Sequence, residues 1–176
     1  MSNKQPDFQE LFFQTFSKQP SGISYRVRSD SNFTHDLYFL RSLINGAEFK
    51  LKDIKHEKQT LEIAILRARW ELRDEVANST LLEIPSVIKF SRAKRINWVA
   101  SDTKHRAPFS GDLIDSSYSI NSETTCEIDG IFVGESTHFG RESTLELVLH
   151  GAPGDWHLRI FLAQEGHLVF IKDKLT

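Results

Sequence analysis

From Ala47 onwards, apolar residues return at every second position, and this period constrains the fold more than any other feature of the chain. Successive side chains of a strand point to opposite faces, so such alternation builds a sheet with one buried face. Ala47, Phe49 and Leu51 alternate with Glu48, Lys50 and Lys52, and Leu61, Ile63 and Ile65 follow in the same phase pattern. The polar stretch from His56 to Gln59 between them predicts a hairpin. Leu82 to Phe90 is a further strand, bent or kept at an edge by Pro85. Arg92 to Val99 sets basic residues against Ile96 and Trp98, and Ile114, Tyr118 and Ile120 share another strand. Cys126 and Ile128 open one that Gly130 is placed to bulge before Ile131 and Val133.

The pattern is clearest in the last third. Leu145, Leu147 and Leu149 face Trp156, Leu158, Ile160 and Leu162 across Gly151 to Gly154. A four-residue loop there pairs Leu149 with Trp156 and Leu147 with Leu158. It also sets Glu146 opposite Arg159, an attractive cross-strand pair, and His150 opposite Asp155. A second loop, Gln164 to Gly166, pairs Leu162 with Leu168 and Ile160 with Phe170, completing a three-stranded meander. Residues 73–80, 101–112 and 134–142 read as loops.

About eight strands at short spacing, with no helical stretch between them, leave no room for the crossovers that parallel pairing needs. The expected fold is α+β and predominantly antiparallel β, a two-layer sandwich or curved half-barrel, with one or two N-terminal helices. The first helix spans residues 6–18: Pro6 suits its first position, and Phe8, Leu11, Phe12 and Phe16 fall on one face. A second runs from Thr34 to Asn45, with Leu37, Leu40, Leu43 and Ile44 as its buried stripe. The domain reading is residues 1–21 as an amphipathic helix, either packed on the sheet or acting as a docking appendage, and residues 22–176 as one β-rich domain. Phe8, Leu11, Phe12 and Phe16 are the candidate interaction face, and deleting residues 1–20 is expected to harm association more than folding, because a helix that precedes the sheet is free to pack in trans.

At 176 residues the chain can bury a core without disulfide or metal staples. Cys126 is its single cysteine, so no intramolecular disulfide forms, and a reducing, cytoplasmic setting is expected. The first sixteen residues lack the continuous apolar run of a signal peptide, and no stretch reaches the ~18 apolar residues of a membrane span, so a soluble protein with no membrane partner is expected. Net charge is −2, without the basic excess of a dedicated nucleic-acid binder.

Sites of chemistry are sparse. Seven histidines invite a metal or an acid–base role, but none lies in an HExxH spacing, and one cysteine excludes a thiolate-rich zinc site. His150 and His157 share a sheet face as diagonal neighbours in the proposed register. His35 and Asp36 are adjacent near a helix start, where neighbours do not face each other. A GxSxG elbow, a P-loop and a GxGxxG turn are all absent, and Cys126 sits at a core phase. No metal, cofactor or catalytic residue is therefore assigned. Glu123, Glu127 and Asp129 read as ordinary strand-end charges.

The densest basic region holds Lys89, Arg92, Lys94, Arg95, Lys104 and Arg106, with Trp98 and Phe109 among them. Basic and aromatic residues on one sheet face can grip phosphates and stack bases, whereas Lys and Arg on an edge strand only discourage pairing. Three functional classes follow. The leading one is a non-catalytic protein-interaction or assembly module, binding a protein partner or a second copy. The others are a nucleic-acid- or ligand-binding domain using residues 89–109, and a small enzyme with dispersed residues.

Overall fold

The computed structural model describes residues 7–16, 22–72, 82–101, 108–111, 123, 125–134, 138–139, 142–153, 155–163 and 167–174. Helix α1 (Phe8–Phe16) precedes strand β1 (Ser24–Arg28), and helix α2 (Phe33–Ile44) follows it. The remaining strands are β2 (Ala47–Lys50), β3 (Ile54–Glu57), β4 (Thr60–Ala68), β5 (Glu83–Ser91), β6 (Ala93–Ser101), β7 (Pro108–Gly111), β8 (Thr125–Val133), β9 (His138–Phe139), β10 (Glu142–Ala152), β11 (Trp156–Ala163) and β12 (His167–Asp173). All the pairing is antiparallel, in the order β1-β12-β5-β4-β2-β8-β10-β11-β6-β7, with β3 on β4 and β9 on β10. The expected antiparallel α+β class is what forms.

One corner bends this sheet into two wings. β5 runs into β6 through Arg92 alone, which adopts φ 58°. That left-handed conformation is uncommon outside glycine and turns the strand sharply. β5 pairs with β12 in one wing, whereas β6 pairs with β11 in the other. The Arg92 carbonyl accepts the Ala163 N–H at 3.2 Å, holding the corner to the outgoing strand. Ile63, Ile88 and Phe90 from one wing and Ile96, Leu147, Leu149 and Leu158 from the other then enter one core cluster.

Several expected pairings are corrected. The β10–β11 hairpin forms, but its register is two residues away: Leu149 faces Leu158, Leu147 faces Ile160, and Trp156 faces Gly151. Gly151 permits this, because a Cβ there would lie 1.8 Å from the Glu127 carbonyl oxygen and 2.9 Å from the Trp156 ring. Asp155, at φ 49°, takes a turn conformation instead of facing His150. Glu146 and Arg159 still form an ion pair, now as diagonal neighbours with Val148 directly opposite Arg159. The third strand of the expected meander is absent: β12 leaves β11 and inserts between β1 and β5, where Phe170 faces Lys89 and Arg26.

The hairpin expected between 47–51 and 61–65 is instead β3 with β4, turned by Lys58 and Gln59 in the left-handed region. β2 meets β4 only at Glu48 and Leu66 and pairs mainly with β8. β5 lies inside the sheet, between β12 and β4, and its Pro85 carbonyl accepts the Lys174 N–H at 2.8 Å. Pro108–Gly111, expected as loop, adds β7 to the β6 edge, and His138–Phe139 adds β9 beside β10. The bulge expected near Gly130 is present: the register shifts where His150 faces Gly130 and Gly151 faces Ile128. The strand expected over 114–120 and the loop over 73–80 lie outside the described residues.

The helices pack as the apolar stripes require. α2 buries Leu37, Phe39, Leu40, Leu43 and Ile44. α1 buries Phe12 and Phe16 within the same core cluster, with Phe8 and Leu11 packed against it. The Phe16 ring lies 5.7 Å from Phe39 of α2 and 5.2 Å from Tyr25 of β1. No helix among the described residues is long and apolar enough to cross a membrane.

Candidate functional site

Among the described residues, the basic and aromatic side chains of the region 89–109 do not gather on one face. Trp98 is buried, and its ring stacks on Trp156 with centroids 5.0 Å apart and planes 11° from parallel. Phe49 meets the same Trp156 edge-on at 5.3 Å, so this aromatic group is core and offers no surface to a base. Lys89 is ion-paired with Glu62 across the β4–β5 ladder at 2.8 Å. Arg92, Lys94 and Arg95 are exposed, but Arg92 sits at the corner and the Arg95 Nε donates to Asn97 at 3.1 Å. Lys104 and Arg106 lie outside the described residues.

The face of α1 that carries Phe8, Leu11, Phe12 and Phe16 is occupied within the chain, by Phe39 and its neighbours. The His35 Nδ1 lies 3.9 Å from the Asp36 carboxylate, beyond hydrogen-bond reach. The His35 ring lies 4.4 Å from Phe39, and the Asp36 carboxylate accepts the Tyr25 hydroxyl at 2.9 Å. Burial, with that hydrogen bond, raises the Tyr25 phenol well above its usual range. Burial also pushes the Cys126 thiol up to about 11, which suits an inert core cysteine.

A buried charge network lies where β4, β5 and β12 meet. Arg67 donates in bidentate fashion to Glu71 (3.0 and 2.9 Å) and to Asp173 (2.9 and 2.8 Å). Asp173 also accepts from the Ser86 hydroxyl at 2.7 Å and the Ile23 N–H at 2.8 Å, and Arg69 donates to Glu71 at 3.1 Å. Burial alone would raise both carboxyls, but the hydrogen bonds from Arg67 outweigh it and hold Glu71 and Asp173 below their usual range. Arg67 spends its N–H groups on Glu71, Asp173 and the Ala68 carbonyl, so the network ties the strands together. Beside it, where β2 and β4 part, a cleft of 270 Å³ is lined by Phe49, Ile65, Leu66, Pro85, Ser86 and Lys174 among others.

The surface with unspent binding capacity is elsewhere. A groove of 170 Å³ runs between α2 and the end of β8, lined by Thr34, Leu37, Tyr38, Arg41, Ile131, Phe132 and Val133. Helical spacing puts Thr34, Leu37, Tyr38 and Arg41 on one side of α2, at i, i+3, i+4 and i+7. The Gly130 bulge re-aims β8, so Ile131 enters the core while Phe132 stands on the opposite face. Tyr38, Phe132 and Val133 are 55 %, 41 % and 45 % exposed, large apolar side chains gathered at one place. Sequence reasoning missed this site. Its one signal was that Tyr38 and Phe132 are aromatic residues off the buried phase.

Arg41 and His150 flank the groove above Gly130. A Cβ on Gly130 would lie 3.0 Å from the His150 Nε2 and 3.2 Å from the Arg41 Nε, so the missing side chain makes room for both. His150 faces His157 directly across the β10–β11 ladder, a correction to the diagonal arrangement expected, with ring centroids 6.3 Å apart. Burial lowers the His150 imidazole, Asp129 opposes that, and His157 and Arg41 reinforce it. Among the described residues no group of three or more His, Cys, Asp or Glu is placed to hold a metal ion.

Comparison with protein-family models, with curated proteins and with solved structures finds no match for this chain.

Proposed function

We propose that this chain is a non-catalytic protein-interaction module that docks a protein segment in the groove between α2 and β8. The observation that carries this reading is the exposure of Tyr38, Phe132 and Val133 around one groove, while the α1 phenylalanines are consumed inside the fold. Contiguous exposed apolar side chains mark interaction sites, because leaving them in water is unfavourable. At 170 Å³ the groove is below the ~300–1,000 Å³ of small-molecule sites and fits one or two anchoring side chains. Binding through residues 89–109 has less support, since Trp98 is stacked in the core and Lys89 is ion-paired.

The test is selection from a displayed library of random 16-residue peptides, with light scattering in parallel. The wild-type chain should enrich peptides bearing an apolar anchor, or form a dimer. Tyr38→Asp combined with Phe132→Asp should abolish either result without changing the thermal melt. A monomer that enriches nothing, or a double variant that enriches the same peptides, would overturn the reading.

A further inference from the structure

The groove has a charge to match as well as an apolar floor. Arg41 is exposed and lines it, yet no carboxylate pairs with it among the described residues. Two basic side chains of the sheet are engaged by contrast: Lys89 with Glu62, and Arg159 with Glu146. His150 stands next to Arg41 over Gly130, and His157 stands opposite His150. Asp129 is the acidic group whose charge reaches His150. Arg41 does not turn back to neutralise it, since no ion pair joins the two among the described residues. A guanidinium beside an apolar floor is the arrangement that recognises a carboxylate next to a hydrophobic anchor.

Building on the interaction reading, we propose that the groove selects a partner segment carrying an Asp or Glu beside its apolar anchor, with Arg41 as the pairing cation. The occupant is an acidic amphipathic segment of another protein. A basic segment would place like charges against Arg41. The chain's own α1 is already committed to the core through Phe12 and Phe16.

The experiment compares peptides that the displayed library yields with wild type, Arg41→Gln and Arg41→Glu. Wild type should enrich Asp or Glu within one helical turn of the anchor. Arg41→Gln should lose that preference while keeping the anchor, and should bind the wild-type peptides roughly two- to five-fold more weakly, as an exposed ion pair implies. Arg41→Glu should exchange the acidic preference for Lys or Arg, which a merely structural role for Arg41 would not produce. Enrichment of the anchor with no acidic bias, or the same bias in Arg41→Glu, overturns this inference and leaves the interaction reading standing. A monomeric wild type that enriches nothing overturns both readings, and a dimer blocked by Phe132→Asp overturns the choice of a foreign partner while leaving the interaction reading standing.

Discussion

Trp98 of β6 lies flat on Trp156 of β11, centroids 5.0 Å apart, and together they plug the core between the two wings of the sheet. Trp156 satisfies its indole N–H on the Ala152 carbonyl at 3.0 Å, whereas the buried Trp98 N–H has no acceptor among the described residues. The pair therefore contributes through buried area and stacking, and only one of its two polar ends is bonded.

Trp98→Ala should cost about 3–5 kcal/mol in a denaturant titration, the range for removing a buried aromatic ring. Trp98→Phe should cost much less, because the N–H it removes makes no hydrogen bond among the described residues. Neither change should act as a selective loss of nucleic-acid affinity with the fold intact.

Phe16→Ala should destabilise by about 3–5 kcal/mol, since that ring is fully buried against Phe39 and Tyr25. Deleting residues 1–20 should likewise lower the melting temperature sharply. This reverses the sequence-based expectation that the first helix serves association more than folding.

Arg67→Met should cost about 3–5 kcal/mol, because it leaves Asp173 buried without its cation and Glu71 with Arg69 in place of two guanidinium partners. Both carboxyls have folded pKa values below their unfolded ones. The stability they contribute is thus present above the ordinary carboxylate range and is lost as pH falls through the depressed folded values. Unfolding free energies measured from pH 7 down into the acid range should show this slope in wild type. The slope should be weaker in Arg67→Met.

Gly134→Ala should destabilise by about 1–3 kcal/mol. A Cβ there would meet the Glu146 Cδ at 2.5 Å and push a buried carboxylate off Arg159. Combining it with Glu146→Ala should recover part of the loss, a coupling that a double-mutant cycle measures.

His150 should titrate below the usual histidine range in NMR spectra, since burial, His157 and Arg41 all disfavour its charge. Arg41→Ala should move that titration upward, while the groove loses its cation.

Much of the scaffold was legible in the chain. Period two from Ala47, the α2 stripe of Leu37, Leu40, Leu43 and Ile44, and the Gly130 bulge each follow from local rules that one segment obeys by itself. The β10–β11 hairpin was legible as a pairing but not in register: Leu147 and Leu149 keep their face under a shift of two, so alternation alone does not choose between the registers. The groove was illegible for a related reason. Tyr38 and Phe132 are far apart in the chain, and nothing local says that they meet.

The alternation and the helical stripes thus settle which faces are buried, that the strands pair antiparallel, and that two helices precede most of them. They act over a few residues, and their physical basis is the geometry of strand and helix. Which strands become neighbours depends on energies shared between distant segments. One left-handed residue, Arg92, turns β5 into β6, and β12 pairs with β5 in the wing that β5 belongs to. The Arg67 network then ties that strand in place. The same closure stacks Trp98 on Trp156 and sets Arg41 beside Phe132, so core and surface are sorted by contacts that no single stretch of the chain contains.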